Sequence, residues 1–402
     1  MKILYAATWF PYPPIFGAKI RAFHLLRELA CQHEIALVSF ADAPIEPAWL
    51  QAMQQLCVRV EVVPVQPFAQ NRWKKALAWL SPEPGFVAAA YSPAMMAKLL
   101  QVCAEWHPDC LLAWTFVTAP YVLAARQQIG KPALLDSDNL MTQMLQDQAL
   151  GSTGLVRRVW RGLAWRKMKR YERRLFSQFD LTALASPRDW AAAPPLFKLP
   201  PKKFAVLSNG IDLVHNRMGL AEPQMQQLVF NGSITYEANF DAVAYFLREI
   251  WPLVLARESN MRLHVTGSIQ NIDMGQFAQV HNVSFTGFVE DIRPVIAGSG
   301  AAVAPLRQGG GTRLKVLEAM ALGTPVISTS KGVEGLKVKA DEHVLIADNA
   351  EDFANAIMYL TTNTDLRTGL VSRARALVEQ HYDWPSVGQR LSDLLETMSF
   401  CA

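Results

Sequence analysis

The sequence lacks the patterns that announce a metal or redox protein. Its 402 residues include five cysteines, Cys31, Cys57, Cys103, Cys110 and Cys401, with no C-x-x-C pair and no metal-ligand spacing. This predicts structural thiols in a reducing compartment, with neither disulfides nor structural zinc. The eight histidines, His24, His33, His107, His215, His264, His281, His343 and His381, are equally scattered. No window offers the ~20 uninterrupted apolar residues that a membrane-spanning helix needs. The opening MKILYAATWFPYPP has a short apolar run ended by prolines, without the long apolar core and cleavage site of a signal peptide, and reads as a first strand. Charge of one sign is scarce too: the net +4 is too small to argue for nucleic acid unless the cations cluster. The loop TWFPYPPIFGA also lacks the G-x-G-x-x-G that a dinucleotide-dependent oxidoreductase carries after its first strand.

What is present is an alternation. Apolar, β-branched runs at Ile3 to Ala7, Glu34 to Phe40, Val58 to Val65, Cys110 to Trp114, Ala133 to Asp136 and Leu181 to Ala185 are each followed by a longer segment of helical period. A second series begins near Phe204 and continues through Leu228 to Asn231, Arg262 to Thr266, Val283 to Thr286, Ala301 to Leu306, Pro325 to Ser328 and Val344 to Ala347. Such a pattern predicts an α/β fold with parallel sheets covered by helices on both faces. The length favours two domains. The stretch AAAPPLFKLPPKK reads as a proline-rich linker, so residues 1–197 and 198–385 are predicted as two doubly wound Rossmann-like domains. A last helix is predicted over 386–402, after Pro385.

One loop concentrates chemistry. Gly309 to Gly311 follow an apolar strand, Thr312 is a candidate N-cap, and a helix is predicted from Arg313 to Leu322, stopped by Gly323-Thr324-Pro325. Lys315 and Glu318 share one face of that helix. Two readings stand at this point: an i,i+3 ion pair on a solvated helix, or an anion site. In the second, Lys315, with Arg313 or Arg307, neutralises a phosphate while Glu318 accepts hydrogen bonds from a diol such as ribose.

Two further features ask for a role. Asp136 and Asp138 follow an apolar run; they either repel one another until one becomes a usable base, or cap the next helix. The segment LVRRVWRGLAWRKMKRYERRLF, Leu155 to Phe176, gathers the main positive cluster. Its early turns, with Trp73, Lys74 and Lys75 upstream, suit contact with an anionic membrane surface. From Tyr171 to Phe176 the expectation is plain packing on the sheet, with Glu172 in a local pair. No base-reading motif accompanies the charge, so no nucleic-acid partner is expected.

The string LKVLEAMALGTPVIST, from Leu314, resembles the carboxyl-terminal signature of retaining GT-B glycosyltransferases of the GT4, or group 1, family. Companion strings stand in that family's order: Pro13-Pro14-Ile15-Phe16-Gly17, SNGID from Ser208, FNGSITYEANFDAV from Phe230, LHVTGS from Leu263 and VSFTGFVEDIRP from Val283. The resemblance implies two facing domains with a cleft between them, a nucleoside-diphosphate-sugar donor held mainly by the second, a glycan or lipid-linked acceptor by the first, and a last helix, 386–402, that crosses back to the first. By position, Glu318 would bind the donor ribose and Lys315 the diphosphate. Gly287, Phe288 and Val289 would lie against the base, Gly17 would approach the phosphate, and Gly232 and Ser233 would line the opposite wall. No cofactor and no metal are implied, and the location would be cytoplasmic, at the inner face of the membrane. Gly310 stands where the family commonly has a second glutamate, Ser233 where it has an arginine, and Asp138 where it has a histidine; the usual lysine is missing from ITYEANF. These departures are read as a subgroup that recruits Lys315, Arg313 and Arg307, together with the Gly310, Gly311 and Thr312 backbone, for phosphate, with Asp136 or Asp138 near the acceptor. The alternative is an inactive nucleotide-sugar-binding member.

Overall fold

The computed structural model describes residues 1–41, 44–64, 81, 83–150, 154–309 and 312–400. The chain divides into two compact units, one of Met1–Ser208 with Trp384–Ala402 and one of Asn209–Asp383. Among the described residues of the first unit, seven parallel strands form one sheet: β1 (Lys2–Ala7), β2 (Glu34–Phe40), β3 (Arg59–Val63), β4 (Cys110–Trp114), β5 (Ala133–Ser137), β6 (Leu181–Leu184) and β7 (Phe204–Val206). They lie in the order β3-β2-β1-β4-β5-β6-β7. Alternate residues of β1 serve opposite faces. Ile3, Tyr5 and Ala7 share a core with Leu25, Leu26 and Leu29 of helix Gly17–Ala30, while Leu4 and Ala6 share one with Tyr121 and Val122 of helix Ala119–Ile129. Helices on both faces are why the strands read as continuous apolar runs.

The second sheet contains β8 (Gln224–Asn231), β9 (Arg262–Thr266), β10 (Val283–Gly287), β11 (Ser299–Ala304), β12 (Val326–Ser328) and β13 (Leu345–Ile346), all parallel, in the order β10-β9-β8-β11-β12-β13. Sequence order reverses between β1 and β4 in the first sheet and between β8 and β11 in the second. In sheets of this kind ligands bind at the carboxyl ends of the strands beside such a reversal.

The structure moves the boundary. Pro194 and Pro195 belong to the last turn of helix Pro187–Phe197, which Ser186 caps by accepting from the Asp189 N–H, and Ala193 and Phe197 are buried. The prolines therefore lie in the last turn of a packed helix and do not form a linker. Phe204 does not open the second series either: β7 pairs with β6, Thr182 opposite Phe204, so residues 198–208 stay with the first unit.

The last helix, Trp384–Phe400, starts two residues before the predicted 386 and lies in the first unit. Its Trp384, Val387, Leu391 and Leu395 are buried in the core that holds Leu25 and Leu29, and Trp384 stacks on His24 with ring centroids 5.0 Å apart. Gly388 sets the approach of the two helices, since a Cβ there would lie 2.2 Å from the Glu28 Cβ. Gly388→Ala should therefore cost about 1–3 kcal/mol through overpacking, read as a lowered unfolding midpoint in urea. A midpoint equal to wild type would mean that the helices separate freely.

Within helix Leu155–Gln178 the carboxyl half packs as expected: Met168, Tyr171, Leu175 and Phe176 are buried. Glu172 differs from its expected local pair. It is 1% exposed and accepts from the backbone N–H groups of Met141 (3.0 Å) and Thr142 (2.9 Å), capping helix Met141–Leu150. Burial pushes its pKa up to about 7, against those hydrogen bonds. Cys31, Cys57, Cys103 and Cys110 are free thiols.

Candidate functional site

At their carboxyl ends β8, β9 and β10 each run into a glycine: Gly232 (φ 145°), Gly267 (φ 97°) and Gly287 (φ 69°). The Gly232 N–H donates to the Thr266 carbonyl (3.3 Å) and the Gly267 N–H to the Gly287 carbonyl (2.9 Å), so the three strand ends form one terrace. At two of the three, Gly232 and Gly267, a side chain would meet close neighbours. A Cβ on Gly267 would lie 2.6 Å from the Ser233 nitrogen, and one on Gly232 would lie 2.9 Å from the Lys315 Nζ.

The lysine arrives from the other side of the strand-order reversal. After β11 the chain passes Gly309 (φ 91°) and enters helix Leu314–Leu322. Arg313, not Thr312, occupies the cap position, and no side chain caps the helix. Its first turn carries Lys315, whose Nζ donates to Asn239 Oδ1 (2.7 Å) and sits 4.1 Å from the Phe230 ring centroid. One turn on, Glu318 accepts from Asn231 Nδ2 (2.9 Å). No ion pair joins Lys315 to Glu318, so the simple i,i+3 pair is not what forms. Each charge is held by an asparagine and left with hydrogen-bonding capacity to spare. Burial lowers the Lys315 pKa to about 7, with Arg313 acting in the same direction and Glu318 opposing. Burial raises Glu318, opposed by the Asn231 hydrogen bond and the Arg293 charge. A half-buried cation poised near neutrality and a carboxylate one turn away are well matched to a diphosphate and a diol.

The other residues singled out from the sequence fall into three groups. Ser233 joins the terrace, its hydroxyl donating to the Ser268 carbonyl (3.0 Å) and lying 2.7 Å from Thr235 Oγ1. Beyond Gly287, Val289 is half-buried and Phe288 is 82% exposed. Gly17 is the exposed first residue of its helix, in the first unit. The two arginines are engaged elsewhere. Arg307 is bidentate with Asp241 (3.1 and 2.6 Å) and stacks 4.4 Å from the Tyr245 ring centroid. Arg313 is buried and donates to the carbonyls of Gly309 (2.9 Å) and Lys331 (3.1 Å), which makes it a brace for the glycine loop. Gly310 and Gly311 lie outside the described residues, as do Trp73, Lys74 and Lys75.

Asp136 is corrected outright. It lies inside β5, fully buried, in a bidentate pair with Arg21 (2.9 and 2.6 Å), and Arg21 also donates to the carbonyls of Leu207 (2.9 Å) and Ser208 (3.2 Å). A carboxylate so neutralised in the core is a structural anchor and not a base. Asp138, just past the strand, is half-buried, and burial with the Asp136 charge raises its pKa to about 6. Asn231 and Asn239 went unremarked in the sequence. The available signal was a recurrence of glycine after three apolar strands, in NGS, TGS and TGF, which marks Asn231 as the residue that turns into the terrace.

Comparison with known proteins bears on the fold. Residues 225–363 match the family described as glycosyl transferases group 1. An uncharacterized 44.6 kDa protein in the cps region of Klebsiella pneumoniae is 20% identical over 95% of this chain and 96% of its own length. Anabaena HepE, solved in complex with UDP and glucose, superposes with a TM-score of 0.68 at 17% identity, covering 99% of this chain and all of its own. WaaG, a glycosyltransferase involved in lipopolysaccharide biosynthesis, gives 0.65 at 15% identity over 98% and 99% of the two chains. The chain has the GT-B fold, and the match to glycosyl transferases group 1 lies in its second unit, over residues 225–363.

Proposed function

We propose that this chain transfers a sugar from a nucleoside diphosphate sugar to a glycan or lipid-linked acceptor, with retention of anomeric configuration and without a metal ion. The observation that carries the reading is the placement of Lys315 and Glu318 at the strand-order reversal of the second sheet, each held by an asparagine beside a terrace of glycine backbone. Glu318 accepts the two ribose hydroxyls and Lys315 neutralises the diphosphate. In the transfer the acceptor oxygen bonds to the anomeric carbon on the face from which the diphosphate oxygen departs, and the acceptor hydroxyl's proton passes to the leaving diphosphate. Lys315 and the glycine-loop N–H groups stabilise the charge that develops on the leaving group. Asp138, with its raised pKa, takes the acceptor-side role that Asp136 cannot. The reading places the enzyme at the inner face of the cytoplasmic membrane. No helix of the described residues is long and apolar enough to cross one.

HepE was solved with UDP and glucose, so UDP-glucose is the first donor to test, followed by GDP-, ADP-, dTDP- and CDP-sugars. Proton NMR of the purified protein with each donor should show slow release of sugar to water, with the donor's anomeric configuration retained in the first product. Binding with no release and no transfer would favour an inactive nucleotide-sugar-binding member, the alternative motivated by Gly310 and Ser233. Inverted product would end the retaining reading.

Donor affinity should also depend on pH. A sugar nucleotide keeps a constant charge above pH about 6, whereas Lys315 loses its proton through about pH 7. Binding favours the protonated lysine, so affinity is highest below that pH and weakens by up to about tenfold per unit above it, until the raised pKa of the bound state is passed. Lys315→Met should remove the slope. A flat profile in wild type would place the diphosphate elsewhere.

A further inference from the structure

Helix Leu155–Gln178, in the crossover between β5 and β6, is buried deepest in its carboxyl half. Its carboxyl half is fixed by Met168, Tyr171, Glu172, Leu175 and Phe176, and the Tyr171 hydroxyl donates to the Phe116 carbonyl (3.0 Å). One face of its amino half, from Arg157 to Leu163, is presented to solvent over about 10 Å of helix. There Val159, Trp160 and Leu163 are 55%, 49% and 41% exposed. Spaced three and four apart, they form one apolar stripe. Around it the helix carries nine lysines and arginines against a single acidic residue, Glu172, which is buried and turned to a different task. Arg157, Arg158, Arg166, Arg170 and Arg173 are exposed and make no ion pair among the described residues.

We propose that the amino half of this helix is a docking surface for an anionic lipid bilayer, lying in the plane of the headgroups with Val159, Trp160 and Leu163 inserted and the arginines on lipid phosphates. Charge complementarity selects the partner, and the apolar stripe separates a bilayer from a nucleic acid. Exposed valine and leucine gain nothing from a phosphodiester backbone, whereas at a bilayer they leave water for the acyl boundary and tryptophan occupies the interface. The anchored half fixes the direction in which the first unit meets the membrane, with no hydrophobic span required. This inference rests on the membrane-face location proposed above and is independent of the donor site, which lies in the other unit.

The test is sedimentation of the full chain with vesicles of phosphatidylcholine containing about 30% phosphatidylglycerol, and with phosphatidylcholine alone, at about 0.1 M and 0.5 M salt. Wild type should sediment with the anionic vesicles at low salt and be released by high salt. The double variant Arg157→Ala/Arg158→Ala should bind roughly 25-fold more weakly, at about fivefold per cation. Trp160→Gln/Leu163→Gln should bind about tenfold more weakly without changing the salt slope. All four positions are solvent-facing, so circular dichroism should be unchanged, and so should calorimetric donor affinity, which keeps failure here distinct from failure of the transferase reading. Equal sedimentation of wild type and both variants, or equal binding to phosphatidylcholine alone, would overturn the proposal. So would a single-stranded RNA of about 20 nucleotides binding with the same arginine dependence and no dependence on Trp160 or Leu163.

Discussion

Arg21→Ala is expected to destabilise the first unit by about 3–5 kcal/mol, because it leaves the fully buried Asp136 carboxylate without its partner. The same change frees the Leu207 and Ser208 carbonyls, at the point where the chain leaves that unit. For a unit of this size the loss corresponds to a fall of roughly 10 °C in unfolding temperature. Arg21→Lys should recover only part of it, since a point charge cannot replace a fork that serves a carboxylate and two carbonyls together. The double variant Arg21→Met/Asp136→Leu should be closer to wild type than Arg21→Ala, because an apolar pair leaves no charge stranded. Thermal unfolding by circular dichroism decides the matter, and an Arg21→Ala protein within about 1 kcal/mol of wild type would show that Asp136 is solvated or protonated.

The second large effect concerns the donor. Glu318→Ala removes two charge-assisted hydrogen bonds to the ribose, each worth about 1.5–3 kcal/mol, and should weaken donor binding by on the order of 100-fold or more. Asn231→Ala should act through Glu318 by releasing its carboxylate from the 2.9 Å hydrogen bond, with a smaller loss of about tenfold. Neither change should alter the unfolding temperature as Arg21→Ala does, since Glu318 is half-buried and makes no ion pair among the described residues. Equal affinity in wild type and Glu318→Ala would remove the carboxylate from the site.

How far these features were legible depended on the range of the interaction behind them. The spans Glu34–Phe40, Cys110–Trp114 and Arg262–Thr266 match the predicted runs residue for residue, because each is a short, mostly apolar run whose signal is local. β7 was assigned to the wrong sheet, since three residues carry no signal of which neighbour they join; the pairing of Thr182 with Phe204 decides it. The prolines at 194 and 195 looked like a linker because composition does not say whether a proline sits in a last helical turn or beyond it. In the site, Lys315 and Glu318 were visible as a motif on one helix. Their holders Asn239 and Asn231 stand 76 and 87 residues away, where no periodicity reaches. The same distance problem hid the true partners of Arg307, 66 residues off, and of Asp136, 115 residues off. In both cases the partner is a charge that the local sequence does not show. Glycines behaved differently, because the φ that Gly232 and Gly267 adopt is a local demand that the sequence states directly.

The most direct test of the central claim is isothermal titration calorimetry of the full chain with UDP, GDP, ADP, dTDP and CDP, run in parallel on wild type, Lys315→Ala and Glu318→Ala. The account predicts one nucleoside diphosphate bound at a single site by wild type, with affinity sharply reduced in both variants. Binding to none of the five, or binding that both variants retain in full, would contradict it.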